Sequence, residues 1–170
     1  GAWWLMRDAR QRGEKVGSLF GLSPLPLRVT VQAGMLGGFL YSLLAYIGFF
    51  YAPAGHASVL MPGSLPLWTT LLMWLFLREH IGLNRAIGLG MIVCGDILVG
   101  GISLLKAFDG GDVWIGDLLF ITAAFCWSAY SVTVRHYGLD AVRATMAITA
   151  FALVSFVPAY ALLVNLNVLP

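Results

Sequence analysis

Between Arg28 and Arg78 the chain carries no Asp, Glu, Lys or Arg, so residues 29–77, 49 in all, form one uncharged run. As a single helix this run would reach about 74 Å at 1.5 Å per residue, far more than the about 30 Å of hydrocarbon in a bilayer. It must therefore fold back once, and Ala52-Pro53-Ala54-Gly55 supplies the turn. Two membrane spans are expected, Val29–Tyr51 and His56–Leu77. The whole chain follows the same logic: 59% of its 170 residues are hydrophobic and 11% charged, with mean hydropathy +0.85. A soluble domain carries about 25% charged residues. That deficit excludes an ordinary cytoplasmic enzyme, a disordered tail and a nucleic-acid binder.

Three more spans are expected, Leu83–Leu105, Val113–Val134 and Ala144–Asn165. Gly1–Met6 reads as the end of an earlier one, and the start at Gly1 and stop at Pro170 within an apolar stretch read as a piece of a longer membrane protein without a signal peptide. Backbone polar groups in lipid must be satisfied internally, and no alternating pattern points to a barrel. The expected fold is all-α, a polytopic helical bundle of five spans plus a stub.

Charge orients it. Arg7, Arg10, Arg12, Lys15, Arg28, Arg78, Arg85, Arg135 and Arg143 fall on one side, and Lys106 alone on the other. By the positive-inside rule the 7–28 loop and the 78–85 and 135–143 turns are cytoplasmic, and Asp109–Asp112 lies outside. Tyr51 and Trp114 at the outer ends, with Trp3, Trp4 and Tyr137 at the inner ends, fit aromatic belts. The expected location is an inner (plasma) membrane of bacterial type.

The helix faces carry the functional readings. In the first span Gly34, Gly38, Tyr41, Ala45 and Gly48 share one face, and Leu36, Leu40, Leu43, Ile47 and Phe50 a lipid-suited one. Tyr41 near mid-membrane either packs tightly or lines a cavity. The second span reads Ser58-Val-Leu-Met-Pro62-Gly-Ser64-Leu-Pro66. Its prolines free the carbonyls of Ser58 and Pro62, and a broken helix at membrane depth points to a transport site. The favoured reading is a kink bordering a cavity. The third span is glycine-rich (Gly82, Gly88, Gly90, Gly95, Gly100, Gly101) and reads as packing, with Ala86 and Gly90 a small-xxx-small pair. Its Asp96 is costly in lipid and is a coupling candidate set against interhelical hydrogen bonding. The fourth span bears Thr122, Cys126, Trp127, Ser128, Tyr130, Ser131 and Thr133, an aromatic and hydroxyl set that suits a polar organic solute or returns hydrogen bonds to its own helix. Asp117 fits the favourable end of a helix dipole rather than a site. Cys94 and Cys126 read as buried thiols. No phosphate-binding loop or HExxH is present, and His56, His80 and His136 are scattered, so neither a metal nor a cofactor is expected.

The order of these features resembles the EamA-type permeases of the drug/metabolite transporter superfamily. The resemblance rests on Ala45–Leu60, on Pro66–Glu79 with its mid-helix proline and helix-ending acid, on Ile87–Gly95, and on Gly116–Tyr130 with Trp127 and Tyr130. It runs from about Arg28 to the chain end. It implies ten helices in two inverted repeats with both termini cytoplasmic. Residues 1–28 would be the end of an earlier span and a basic loop, 29–105 the last three helices of the first repeat, 106–112 an external loop, and 113–170 the first two helices of the second. The cavity would be lined by the first, second, fourth and fifth full spans, leaving the third peripheral. On this reading the chain serves a secondary transporter of small organic metabolites, an exporter working by alternating access. Tyr41, Ser58, Pro62, Ser64, Thr69, Trp127, Tyr130 and Ser131 are the cavity candidates, and Glu79 and Asp96 the gating or coupling candidates. Partners are the bilayer and a small solute, and a homodimer is compatible. The rival readings are a membrane scaffold subunit and, behind it, a membrane-embedded enzyme.

Overall fold

The computed structural model describes Arg7, Ser23 and residues 25–78, 80–107 and 111–165, with side chains for 7, 23, 25–78, 80–98, 101 and 111–158. Glu79, the Gly1–Met6 stub, the 8–22 part of the basic loop and Asp109 lie outside the described residues. Five long helices make up the rest: α1 (Leu27–Tyr51), α2 (Ala54–Leu77), α3 (Leu83–Ala107), α4 (Val113–His136) and α5 (Ala141–Asn165). Among the described residues, α1, α2, α4 and the Ala141–Pro158 part of α5 are long and apolar enough to cross a membrane. At 25 residues, α3 has the length as well, about 37 Å.

Local chemistry sets the ends. Pro53 disfavours helical backbone in the residue before it, and Ala52 is extended at φ −128°, ψ 147°, so α1 stops there. Pro53 then begins α2 with its own φ near −64°. Gly138 adopts φ 57°, and Leu139 N–H returns to the Val134 carbonyl at 2.9 Å, a glycine-based close of α4. Arg78 closes α2 in the same left-handed region at φ 53°.

Two elements differ from expectation. In α1 the turns at Met35–Leu40 are π-helical, with i→i+5 bonds that accommodate one extra residue. The glycines consequently split between two neighbours. A Cβ at Gly34 would strike Phe151 of α5, and one at Gly38 would lie 3.3 Å from Ile148 of α5. One at Gly37 would come within 2.7 Å of Tyr130, and one at Gly48 within 2.6 Å of Phe120, both on α4. Leu36, placed on the lipid face by periodicity, packs instead against the Ala33–Tyr130–Ala144 cluster. The second difference is α2, which runs unbroken through Pro62 and Pro66. Its Ser58–Pro62–Pro66 stripe, spaced four apart, is exposed. Ser64 on the opposite face is buried and bonds the Leu60 carbonyl.

The bundle is organised round α4. Half of its apolar window is buried, against 28% for α1 and for α2 and 17% for α5. Helices α1 and α2 both pack on α4 and barely touch each other, α3 leans on α2 and less on α4, and α5 lies against the first half of α1. Buried positions favour alanine and glycine, while Phe50, Leu83, Met91 and Leu98 are more than 70% exposed. Small residues inside and large apolar ones outside is the arrangement expected when lipid is the solvent. No described residue of α3 is buried, and Cβ atoms at its Gly88, Gly90 and Gly95 would meet open space. The packing expected of those glycines is therefore not made within the described residues. Cys126 is buried as expected, whereas Cys94 on α3 is exposed.

Candidate functional site

Because α1 and α2 diverge while both hold α4, the three leave a cavity of about 300 Å³ at the end of the bundle bearing the 137–140 turn. Leu36, Leu72, Phe76, Ala129 and Val132 form its apolar wall, and Gln32, Thr133, His136 and Tyr137 supply polar groups. About 300–1,000 Å³ is the range of small-molecule sites.

The sequence candidates that the fold brings together lie one turn or so further in. Tyr41 of α1 and Trp127 of α4 meet at a tilt of 52° with ring centroids 5.0 Å apart, and Trp127 meets Tyr130 edge-on at 5.3 Å. Such pairs contribute about 0.5–1.5 kcal/mol beyond their burial. Across from them Thr69 Oγ1 donates to Ser128 Oγ at 3.2 Å, and Ser128 Oγ donates to the Leu65 carbonyl at 3.1 Å. This relay joins α2 to α4. Ser128 is fully buried, so its two bonds offset the cost of its desolvation.

Other candidates are placed differently. Ser131 Oγ donates to the Trp127 carbonyl, and Thr122 and Thr133 likewise return to Leu118 and Ala129 on their own helix. Ser58 is exposed and donates to the Gly55 carbonyl, and Pro62 is exposed beside it; neither lines a cavity described here. Ser64 and Asp96 both line a second cavity, of about 330 Å³, between α2, α3 and α4. There the Asp96 carboxylate lies over the backbone of Gly63, which has no side chain to exclude it.

Sequence reasoning missed the best-defined polar contact between elements. His56 Nδ1 and Asp117 Oδ1 are hydrogen-bonded at 2.8 Å, 61 residues apart, pinning the first turn of α2 to the start of the second turn of α4. The imidazole N–H is the donor when Asp117 is ionised. A dipole argument accounts for Asp117 alone; the signal that could have found the pair is a histidine and an acid each one turn into neighbouring spans. Gln32 was also missed, although it is the one amide in the uncharged run. Trp68 Nε1–H donates to the Ile121 carbonyl at 3.2 Å while its ring meets Phe125 edge-on at 5.1 Å, a further tie between α2 and α4. Among the described residues no three His, Cys, Asp or Glu side chains cluster as a metal site would require.

The EamA-like transporter family profile matches residues 12–101, more than half of the chain. The chain belongs to the EamA-like transporter family. Two curated relatives of this EamA-like chain come from Bacillus subtilis (strain 168). The uncharacterized transporter YyaM is 27% identical over 113 residues, which cover 65% of this chain and 36% of the relative. The uncharacterized transporter YdfC is 33% identical over 107 residues, which cover 61% and 32%. The matched stretch thus spans about a third of each relative's length. No solved structure matches. Family and helices together make this an EamA-like multi-pass membrane protein.

Proposed function

We propose that this chain is part of a secondary transporter that carries small organic metabolites, as an exporter, by alternating access. The observation that carries the reading is the divergence of α1 and α2 against α4, which opens a cavity lined by Gln32, Thr133, His136 and Tyr137 among apolar side chains; Tyr41, Trp127, Thr69 and Ser128 do not line it and meet about a turn further along the same helices. Residues 29–105 are then the last three helices of one repeat and 113–170 the opening of the next, with the binding site between them and the repeats rocking about it. Tyr41, Trp127 and Tyr130 offer flat apolar faces to a solute, and the Thr69–Ser128 relay offers polar partners. Energy comes from the solute's own gradient or from protons; Asp96 is the coupling candidate in the second case, and Glu79 the gate.

The test uses vesicles carrying the complete protein and a panel of radiolabelled metabolites. Tyr41→Ala and Trp127→Ala should each lower flux at least tenfold while membrane insertion is unchanged. Undiminished flux would remove the cavity reading, whereas a wild type that carries none of the panel would favour a scaffold. Asp96→Asn, run beside the wild type with and without a proton gradient, decides the coupling role. An equal response of both proteins to the gradient would exclude it.

A further inference from the structure

The two ends of the α1–α2–α4 group are built differently. At the end bearing the 137–140 turn, α1 and α2 stand apart and the cavity of about 300 Å³ lies between them. At the end bearing the 51–55 turn, the same chain segments close on α4. Gly116 admits Ala52 and the Gly48 carbonyl at a place where any Cβ would strike them. Ala52, Ala57, Leu60 and Phe120 pack beside it as one buried cluster. The His56–Asp117 hydrogen bond, 2.8 Å long, ties α2 to α4 across this layer. From Asp117 to Ala129, which lines the open cavity, α4 rises about 18 Å.

The pair differs in kind from the contacts around it. Fitted carbon surfaces hold by area, whereas a hydrogen bond between an imidazole and a carboxylate is directional and charge-assisted. The His56 side chain is 24% exposed against 6% for Asp117, so water reaches the pair from the His56 side. Water can take over both groups when α2 swings away from α4, which keeps the parted state within reach. The pair also joins residues 29–105 to residues 113–170, the segments that the transport reading assigns to different repeats. Repeats that rock about a central site need one end shut while the other is open.

We propose, on the alternating-access reading above, that His56 and Asp117 form a latch. It holds the end bearing the 51–55 turn shut while the opposite cavity is open, and it parts each time the openings exchange.

The test reads reagent access in sealed vesicles carrying the complete protein, with every native cysteine replaced. Ala57→Cys, buried beside His56, is the reporter, and a membrane-impermeant thiosulfonate is added from the side of the 51–55 turn. With the pair intact, labelling should be slow. His56→Ala should speed it about tenfold or more, the change expected when one charge-assisted hydrogen bond is lost. Asp117→Asn, which keeps an acceptor in place without its charge, should speed it by less and guards against misfolding of the first variant. Gln32→Trp or Thr133→Trp, each filling the opposite cavity so that it cannot close, should then return the His56→Ala rate toward that of the intact pair. Rates that neither His56→Ala nor Asp117→Asn raises would overturn the latch. So would a raised rate that neither tryptophan lowers, because the pair would then be a fixed staple whose loss frays one end. Wild-type flux, read in the same vesicles without a reporter, tests the transport reading by itself. A labelling failure while flux persists therefore removes the latch alone.

Discussion

Single residues do most of their work here by being small. Gly116 opens α4 directly against the end of α1, where an added Cβ would strike Ala52 Cβ and come within 2.7 Å of the Ala52 nitrogen and 2.8 Å of the Gly48 carbonyl. Backbone cannot step aside as a flexible side chain can. Gly116→Val should therefore destabilise the protein by about 1–3 kcal/mol, the usual range for overpacking. Thermal unfolding in detergent should show a clearly lowered midpoint, whereas Gly90→Ala, facing open space on α3, should leave it unchanged. This scale was only partly legible in the sequence. A stripe of small residues announces close approach but does not say to what: Gly34 and Gly38 meet α5, Gly48 meets α4, and Gly37 meets both. Hydroxyls are harder still. Ser128 and Ser131 are three residues apart, yet one reaches α2 and the other its own helix. Side-chain chemistry is the same for both; only the packed neighbour distinguishes them.

Helices as elements were the most legible. The charge-free run, the Pro53 turn and the apolar stretches place α1 to α5 within a few residues, because Pro and Gly punctuate and lipid sets the length. The π turns at Met35–Leu40 were not legible, because a 3.6-residue period assumes one geometry throughout. They make a sharp expectation. Deleting Gly38 should let the segment close as ordinary α-helix with Leu27–Gly34 and Tyr41–Tyr51 still in phase, so the protein should remain monodisperse. Deleting Leu44 should turn residues 45–51 by about 100°, moving Gly48 off Phe120, and gel filtration should report aggregation. Equal behaviour of the two deletions would mean that the π turns do not absorb a residue. Proline also behaves differently in context: Pro62 and Pro66 lie on an exposed face of a continuous α2, so their presence in a sequence locates strain without breaking the helix.

At the scale of the whole molecule the distribution of cations predicts orientation. Asp112 precedes α4 and Asp140 follows it, so the two are at opposite ends of one span. With Cys94 and Cys126 replaced, Asp140→Cys should label only from the cytoplasmic side and Asp112→Cys only from the opposite side. Labelling of both from one side would end the five-span reading. The composition of the interior agrees with this picture, since alanine is the commonest buried apolar residue, with Phe120 and Leu60 among the few large ones, while most other large apolar side chains face outward. What no sequence feature announced is which helix is central. Nothing in the hydropathy of α4 sets it apart from α1 or α2, and only its half-buried surface reveals its position.

That position has a chronological consequence. The ribosome delivers α1 and α2 before α4, yet they scarcely touch, and the helix that joins them is complete only after about 60 more residues have been made. At about 5–20 residues per second this leaves the α1–α2 hairpin without α4 for several seconds, with the Gly48 face of α1 not yet covered by Phe120. A nascent chain arrested after Ala107 should accordingly leave a cysteine placed at Gly48 open to a lipid-soluble thiol reagent, and extension through His136 should shield it. The joining of α1 to α2 waits on α4.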